Sequence, residues 1–520
     1  MRKRYALKNV VSKALYATIY AVISFVARKI FINSLGDTVL GLNSLMTSIL
    51  SMLSLMELGV GNAIYFSLYK PLAEGNDAEV NAIMKLYKRL YSYIGMAVGA
   101  VGLCILPFIH LLVQKEVGLQ TVSMTFVYEI YLIFLADSVM SYFLAYRRNI
   151  FSADQKEYMV TNANTVVTLG YTFLQIVALL WTKNYFIYLL IKVAATVGMN
   201  IYFYAKSYQS YPCLRIKEVQ PLSEEYKKNL IKNVKALFMM SLSSFLVYST
   251  DNMLLTYFVG LSSVAVYANY TTIINMVNQT FNTAISSMKS NVGNYLVTES
   301  EEQHYQLFKN MFFLNFLITG FTSIGLLTLS NEFIGGIWLS NKYVWPITIL
   351  IIIVFNNYSR YIIEAAGVFM SGAGLYSPYP LYKYWSLIEG LINLAASIFM
   401  IKALNMGVYG VFLGTSISTL VSTIAVPQVT FKYILKKNLK EYYALYFKYF
   451  ILTVLFAAIS MALFRLFHTG NAFVNIVIGG LISVGVMAVG TIALFRKTAE
   501  FQYLYQMVKG FLGKRKTNLS

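Results

Sequence analysis

What most constrains this chain is a series of fourteen apolar runs, each long enough to cross a lipid bilayer. They lie at about 10–32, 38–69, 90–113, 122–146, 160–181, 183–205, 235–258, 264–297, 310–331, 345–371, 382–402, 405–428, 444–466 and 472–497. One crossing takes about 20 apolar residues as a helix. In hydrocarbon the backbone N–H and C=O groups must be satisfied within the protein. The chain of 520 residues is 58% hydrophobic and only 12% charged, against about 25% charged in a soluble protein. An all-α polytopic membrane protein of about 14 helices is therefore predicted. Only Trp181–Asn184 separates the runs 160–181 and 183–205, which leaves thirteen crossings open.

Lys and Arg set the expected orientation. With the N-terminus inside, most of the 42 basic residues fall in the tail 1–13, the loops 70–89, 147–156, 206–235 and 432–440, and the tail 496–516. This is the positive-inside bias, and it predicts cytoplasmic N- and C-termini. It also accounts for much of the net charge of +20 without a nucleic-acid partner. The basic N-terminus precedes a run of crossing length with no small-residue cleavage site, so it reads as a retained first helix.

Enzyme chemistry finds no foothold. The two cysteines and three histidines lack metal-ligand spacing. No Gly-rich phosphate loop is followed by Lys-Ser/Thr, and no outer loop is long enough for a catalytic domain. Asp77-Ala78-Glu79 resembles an acidic metal-binding pair, but it sits in a polar stretch, 70–89, that reads as a solvated cytoplasmic loop. Neither a metal nor a cofactor is expected. The 42 tyrosines read as interfacial anchors and packing residues.

The informative residues are charges inside apolar runs, which are costly in lipid and face protein or water. Glu57 stands beside Gly59 and Gly61 in the second run, and glycines there permit close approach or bending. Arg28 and Lys29 end the first run, either snorkelling to the interface or lining a cavity. Asp137 lies deep in the fourth run, Lys192 near the centre of the sixth, Asp251 in the seventh and Lys289 at the end of the eighth. Arg360 and Glu364 are four residues apart and would share one helical face. Glu389 reads as interfacial.

A weak internal repeat organises these positions. At an offset of 224 residues, Gly36 falls on Gly260, Thr47 on Thr271, Ile49 on Ile273 and Met52 on Met276, without a gap. A parallel repeat of six crossings is expected, as in some transporters. It gives an N-terminal six-helix lobe (1–205), a cytoplasmic linker (206–235), a C-terminal six-helix lobe (236–428), and two additional, peripheral-looking helices with a basic tail (429–520).

Three stretches carry a family resemblance: LGDTVLGLNSLMTSILSMLSLMELGVGNAIYFSLYKPLAEGN, YSTDNMLLTYFVGLSSVAVYANY and NMGVYGVFLGTSIS. The chain resembles the polysaccharide transporter (Wzx-type flippase) family of the multidrug/oligosaccharidyl-lipid/polysaccharide (MOP) exporter superfamily. Glu57 and Asp251 fall on the matched stretches. The resemblance implies a flippase moving undecaprenyl-pyrophosphate-linked oligosaccharide repeat units to the outer leaflet of the cell membrane, for capsule or exopolysaccharide, by alternating access. It also implies a cationic cavity, for which Arg28, Lys29, Lys192, Lys289 and Arg360 are the candidates, since Arg and Lys give phosphate charge-assisted hydrogen bonds. Glu57, Asp137, Asp251 and Glu364 are candidates for coupling to H⁺ or Na⁺ or for balancing charge. Other polysaccharide assembly proteins are candidate partners. The competing readings are a drug or cation antiporter of the same superfamily, a membrane polymerase or glycosyltransferase, and a non-transporting scaffold.

Overall fold

The computed structural model describes residues 2–54, 67–118, 122–216, 222, 224, 228, 250–373 and 380–517. Regular structure among them is entirely helical. In chain order the helices are α1 (Arg2–Leu53), α2 (Asp77–Gly118), α3 (Met124–Ala145), α4 (Arg148–Ala153), α5 (Glu157–Thr182), α6 (Tyr185–Ser210), α7 (Thr250–Phe258) and α8 (Leu261–Thr298). There follow α9 (Glu301–Glu332), α10 (Ile347–Ile362), α11 (Glu364–Gly372), α12 (Pro380–Lys402), α13 (Val408–Val429), α14 (Leu439–Leu466), α15 (Ala472–Phe495) and α16 (Ala499–Thr517).

Ten helical segments among the described residues are long and apolar enough to cross a bilayer. The four remaining expected crossings fall on α1, α7 and α8 and on adjoining residues outside the described set. The protein is a multi-pass helical membrane protein.

Local chemistry explains most helix ends. Asn184 accepts from Phe186 N at 2.8 Å and starts α6, while Lys183, at φ +48, closes α5. The region 160–205 is therefore two helices. Asn471 starts α15 in the same way, accepting from Phe473 N at 2.9 Å. A capping box of Ser300 and Gln303 opens α9.

The offset-224 repeat has a backbone counterpart. Gly36 breaks α1 at φ +86, and Gly260 separates α7 from α8 at φ +132. Both values lie where only glycine is unstrained. Gly41 then lies against the Leu261 backbone, where an added Cβ would stand 2.0 Å from the Leu261 carbonyl oxygen.

Two sequence expectations are corrected here. The first helix does not end at Lys29, because α1 runs on to the break at Gly36 and resumes to Leu53. The stretch 70–89 is not a loop throughout: from Asp77 it is the first three turns of α2, with Asp77 and Glu79 placed favourably at the helix N-terminus.

The chain forms two compact units, 1–268 and 269–520, divided inside α8. In the first, α1 packs on α5, α2 on α3, and α6 on both α3 and α5. In the second, α12 pairs closely with α13, while α9 packs against α10, α14 and α15.

Gly410, Gly414 and Ser418 recur every four residues on α13 and let α12 approach to backbone contact. A Cβ on Gly414 would lie 2.6 Å from the Ser397 nitrogen, so NMGVYGVFLGTSIS is a close-packing helix as read. The helices α14 and α15 are not peripheral. Tyr442 and Tyr449 of α14 and Phe495 of α15 are buried with Phe308, Phe312 and Phe316 of α9, and Phe316 stacks on Tyr449 at 4.5 Å between centroids.

Candidate functional site

In the first unit, charge concentrates where α3 meets α6. Phe134 and Asp137 lie one turn apart on α3, and Lys192 and Thr196 one turn apart on α6, so each pair shares a helical face. The Lys192 ammonium sits 5.3 Å from the centre of the buried Phe134 ring, within range of a cation–π attraction. Its charge also acts on the Asp137 carboxylate, close to the Thr196 side chain. Thr196 Oγ1 donates to the Lys192 carbonyl at 3.1 Å. The charges of Asp137 and Lys192 sum to zero, and each lowers the cost of keeping the other in a medium of low dielectric.

In the second unit the helical span 347–372 is interrupted at the single residue Ile363. Arg360 lies in the last turn of α10 and Glu364 is the first residue of α11, with only Ile363 (φ −80, ψ −9) between the two helices. The buried Asn315 of α9 bridges the break: its Nδ2 donates to the Tyr361 and Ile362 carbonyls at 2.9 and 2.8 Å. Carbonyls freed at such an interruption are costly in apolar surroundings unless partners of this kind are supplied.

The charge of Arg360 acts on Glu389 of α12, close to the Ser422 side chain of α13. Glu389 is only 7% exposed. The interfacial reading of Glu389 is corrected accordingly, since burial beside an arginine supplies the compensation that water would give at an interface.

The other candidates are dispersed. Arg28 is half-buried on α1 and Lys29, next to it, is exposed, so the two point to different surroundings. Asp251 is buried on α7, where the Tyr267 hydroxyl donates to its Oδ2 at 3.5 Å. The adjacent Asn252 donates to Ser48 Oγ of α1 at 2.9 Å. Lys289 is on α8, but its side chain lies outside the described residues, and Glu57 lies wholly outside them. Arg28, Lys29, Asp137, Lys192 and Asp251 belong to the first unit; Lys289, Arg360 and Glu364 belong to the second.

Sequence reasoning missed Asn315 and the burial of Glu389. The signal for Glu389 was present: it stands nine residues into an apolar helix. For Asn315, one more amide in an apolar run carries no mark of the helix it will meet. No cluster of metal ligands occurs among the described residues.

Comparisons place this geometry. The fold is similar to the lipid II flippase MurJ in an inward closed conformation (TM-score 0.63, 15% identity, 93% of this chain and 99% of that one). It is similar to an inward-facing multidrug resistance MATE family transporter of the MOP superfamily (TM-score 0.60, 14% identity, 81% of this chain and 96% of that one). An outward-facing MATE structure matches at a TM-score of 0.54, with 13% identity, 84% of this chain and 97% of that one. The chain has no significant match among curated protein sequences. The sequence model of the family described as "Polysaccharide biosynthesis protein" matches residues 6–288, more than half of the chain. The chain belongs to the polysaccharide biosynthesis protein family.

Proposed function

We propose that the protein is a flippase of the cell membrane that moves undecaprenyl-pyrophosphate-linked oligosaccharide repeat units from the cytoplasmic to the outer leaflet for capsule or exopolysaccharide synthesis. The observation that carries the reading is Lys192 held mid-helix between Phe134 and Asp137 in a chain of this family. A base kept at membrane depth suits an anionic pyrophosphate headgroup, and Arg28, Lys289 and Arg360 are proposed to serve the same headgroup. The lipid tail stays in the bilayer. The two six-helix lobes, 1–205 and 236–428, alternate access, with both termini cytoplasmic. Asp137, Asp251, Glu57 and Glu364 balance the bases or bind H⁺ or Na⁺.

A second reading, a drug or cation antiporter, is favoured by one feature: the fold is shared with multidrug transporters. Proteoliposomes carrying a fluorescent undecaprenyl-pyrophosphate oligosaccharide separate the two. Protein-dependent leaflet exchange that falls in Lys192→Ala, Lys289→Ala and Arg360→Ala at normal expression supports the flippase. An absence of exchange, with or without an ion gradient, transfers support to the antiporter.

A further inference from the structure

A second cationic site lies within the first unit, away from Lys192. The turn after α3 carries Arg147, which is only 6% exposed. Its guanidinium donates to three neutral hydroxyls: Tyr146 at 2.9 Å, Ser207 at 3.3 Å and Tyr208 at 2.9 Å. It also lies 4.3 Å from the Tyr208 ring centre and 5.0 Å from that of Tyr204. Among the described residues no carboxylate pairs with it. A buried guanidinium held only by hydroxyls and rings keeps its full positive charge, and burying that charge is costly until an anion arrives.

Arg147 borders a cavity of about 420 Å³ that Lys85, Lys88 and Arg89 of α2 and the hydroxyl-bearing Tyr146 and Tyr208 also line. The spacing 81, 85, 88–89, 92 places that lining on one stripe of α2. Four bases and no acid line the cavity. Arg offers a phosphate two parallel N–H bonds, lysines add point charges, and phenol hydroxyls turn to suit the oxygens. The volume is in the range of small-ligand sites.

We propose that this pocket binds a phosphate or pyrophosphate group at the cytoplasmic end of the first unit. The site is separate from Lys192 and its function does not depend on the transport reading. The same chemistry is presented by a soluble phosphate ester and by the headgroup of an anionic lipid. Lys88 and Arg89 are exposed and act as the entrance; the buried Arg147 is the anchor.

The test uses the full-length protein in two arms. In the first, thermal unfolding in neutral detergent is followed against inorganic pyrophosphate, with sodium chloride at matched ionic strength as the blank. In the second, unfolding is compared in nanodiscs of phosphatidylcholine alone and with added phosphatidylglycerol. A ligand that binds only the folded state raises Tm in a saturable way.

The Lys88→Gln/Arg89→Gln variant, changed at exposed positions that leave the packing of Arg147 in place, is set beside a control of equal charge change, Lys432→Gln/Lys440→Gln. The expected result is a saturable rise for wild type and control, with the concentration for half-effect raised about tenfold or more in the pocket variant. A rise with pyrophosphate in detergent identifies a soluble ligand, and a rise confined to phosphatidylglycerol discs identifies a lipid headgroup. No saturable rise in either arm, or an equal rise in the pocket variant, overturns the proposal.

Discussion

Gly414→Ala tests whether α12 and α13 are held at backbone contact. The added Cβ would stand 2.1 Å from Ser397 Oγ, 2.6 Å from Ser397 N and 2.7 Å from Ser397 Cα. Ordinary contact between such atoms starts near 3.5 Å, so the helices must part by about 1 Å. Two of the three atoms are backbone, and no side-chain rotation relieves them. Overpacking of this kind costs about 1–3 kcal/mol, and this geometry belongs at the upper end.

Parting the helices also stretches the bonds from Ser397 Oγ to the Val411 carbonyl (3.1 Å) and from Asn393 Nδ2 to Thr415 Oγ1 (2.9 Å), worth about 0.6 kcal/mol each in a membrane. Alanine returns about 1 kcal/mol through helix propensity. The net is a loss of about 2–3 kcal/mol, or a fall in Tm of about 4–12 °C on the scale of a 150–250-residue domain. Gly480→Ala on α15 is the internal standard, since nothing lies within 4 Å of its added Cβ; its Tm should hold or rise. Thermal unfolding of the purified protein in detergent reads both. If Gly414→Ala proves as stable as Gly480→Ala, the close approach is wrong.

Three further outcomes are expected. Asn315→Leu strands the Tyr361 and Ile362 carbonyls at the break before α11 and should destabilise the protein by about 1–3 kcal/mol; a denaturation midpoint equal to wild type would refute the bridging role. Asp137→Asn and Lys192→Met should each destabilise the protein, and the double variant should lose less than the sum of the two, by a coupling of about 0.5–3 kcal/mol; strict additivity in the same unfolding assay would show that the two charges do not interact. Burial and the nearby Asp77 raise the Cys213 thiol to about 11, so it stays neutral below that pH and its thiolate fraction climbs only as pH approaches it. Labelling of Cys213 by a water-soluble maleimide should be slow at pH 7 and faster in Asp77→Asn; rapid labelling of the wild type at neutral pH would contradict this environment.

The membrane class, the two-helix reading of 160–205 and the correspondence of Gly36 with Gly260 were legible because each depends on local chemistry. An apolar run must be helical in lipid whatever surrounds it. Asn184 caps the residues next to it, and Gly36 and Gly260 accept positive φ by lacking a side chain. The positions of Asp137, Lys192 and Arg360 as charges in apolar runs were legible for the same reason.

Their partners were not, because pairing across helices depends on which faces meet. Arg360 was read with Glu364 on its own stretch of chain, whereas the buried Glu389 of α12 also feels its charge. The interruption at Ile363 has no proline or glycine to announce it. It is sustained by Asn315, nearly fifty residues earlier in the chain. Arg147 likewise read as one more base in a cytoplasmic loop until folding buried it among Tyr146, Tyr204 and Tyr208. The sequence by itself determined where charge sits along each helix. Only the tertiary structure decided which charges are compensated, since desolvation and pairing arise when separate helices pack.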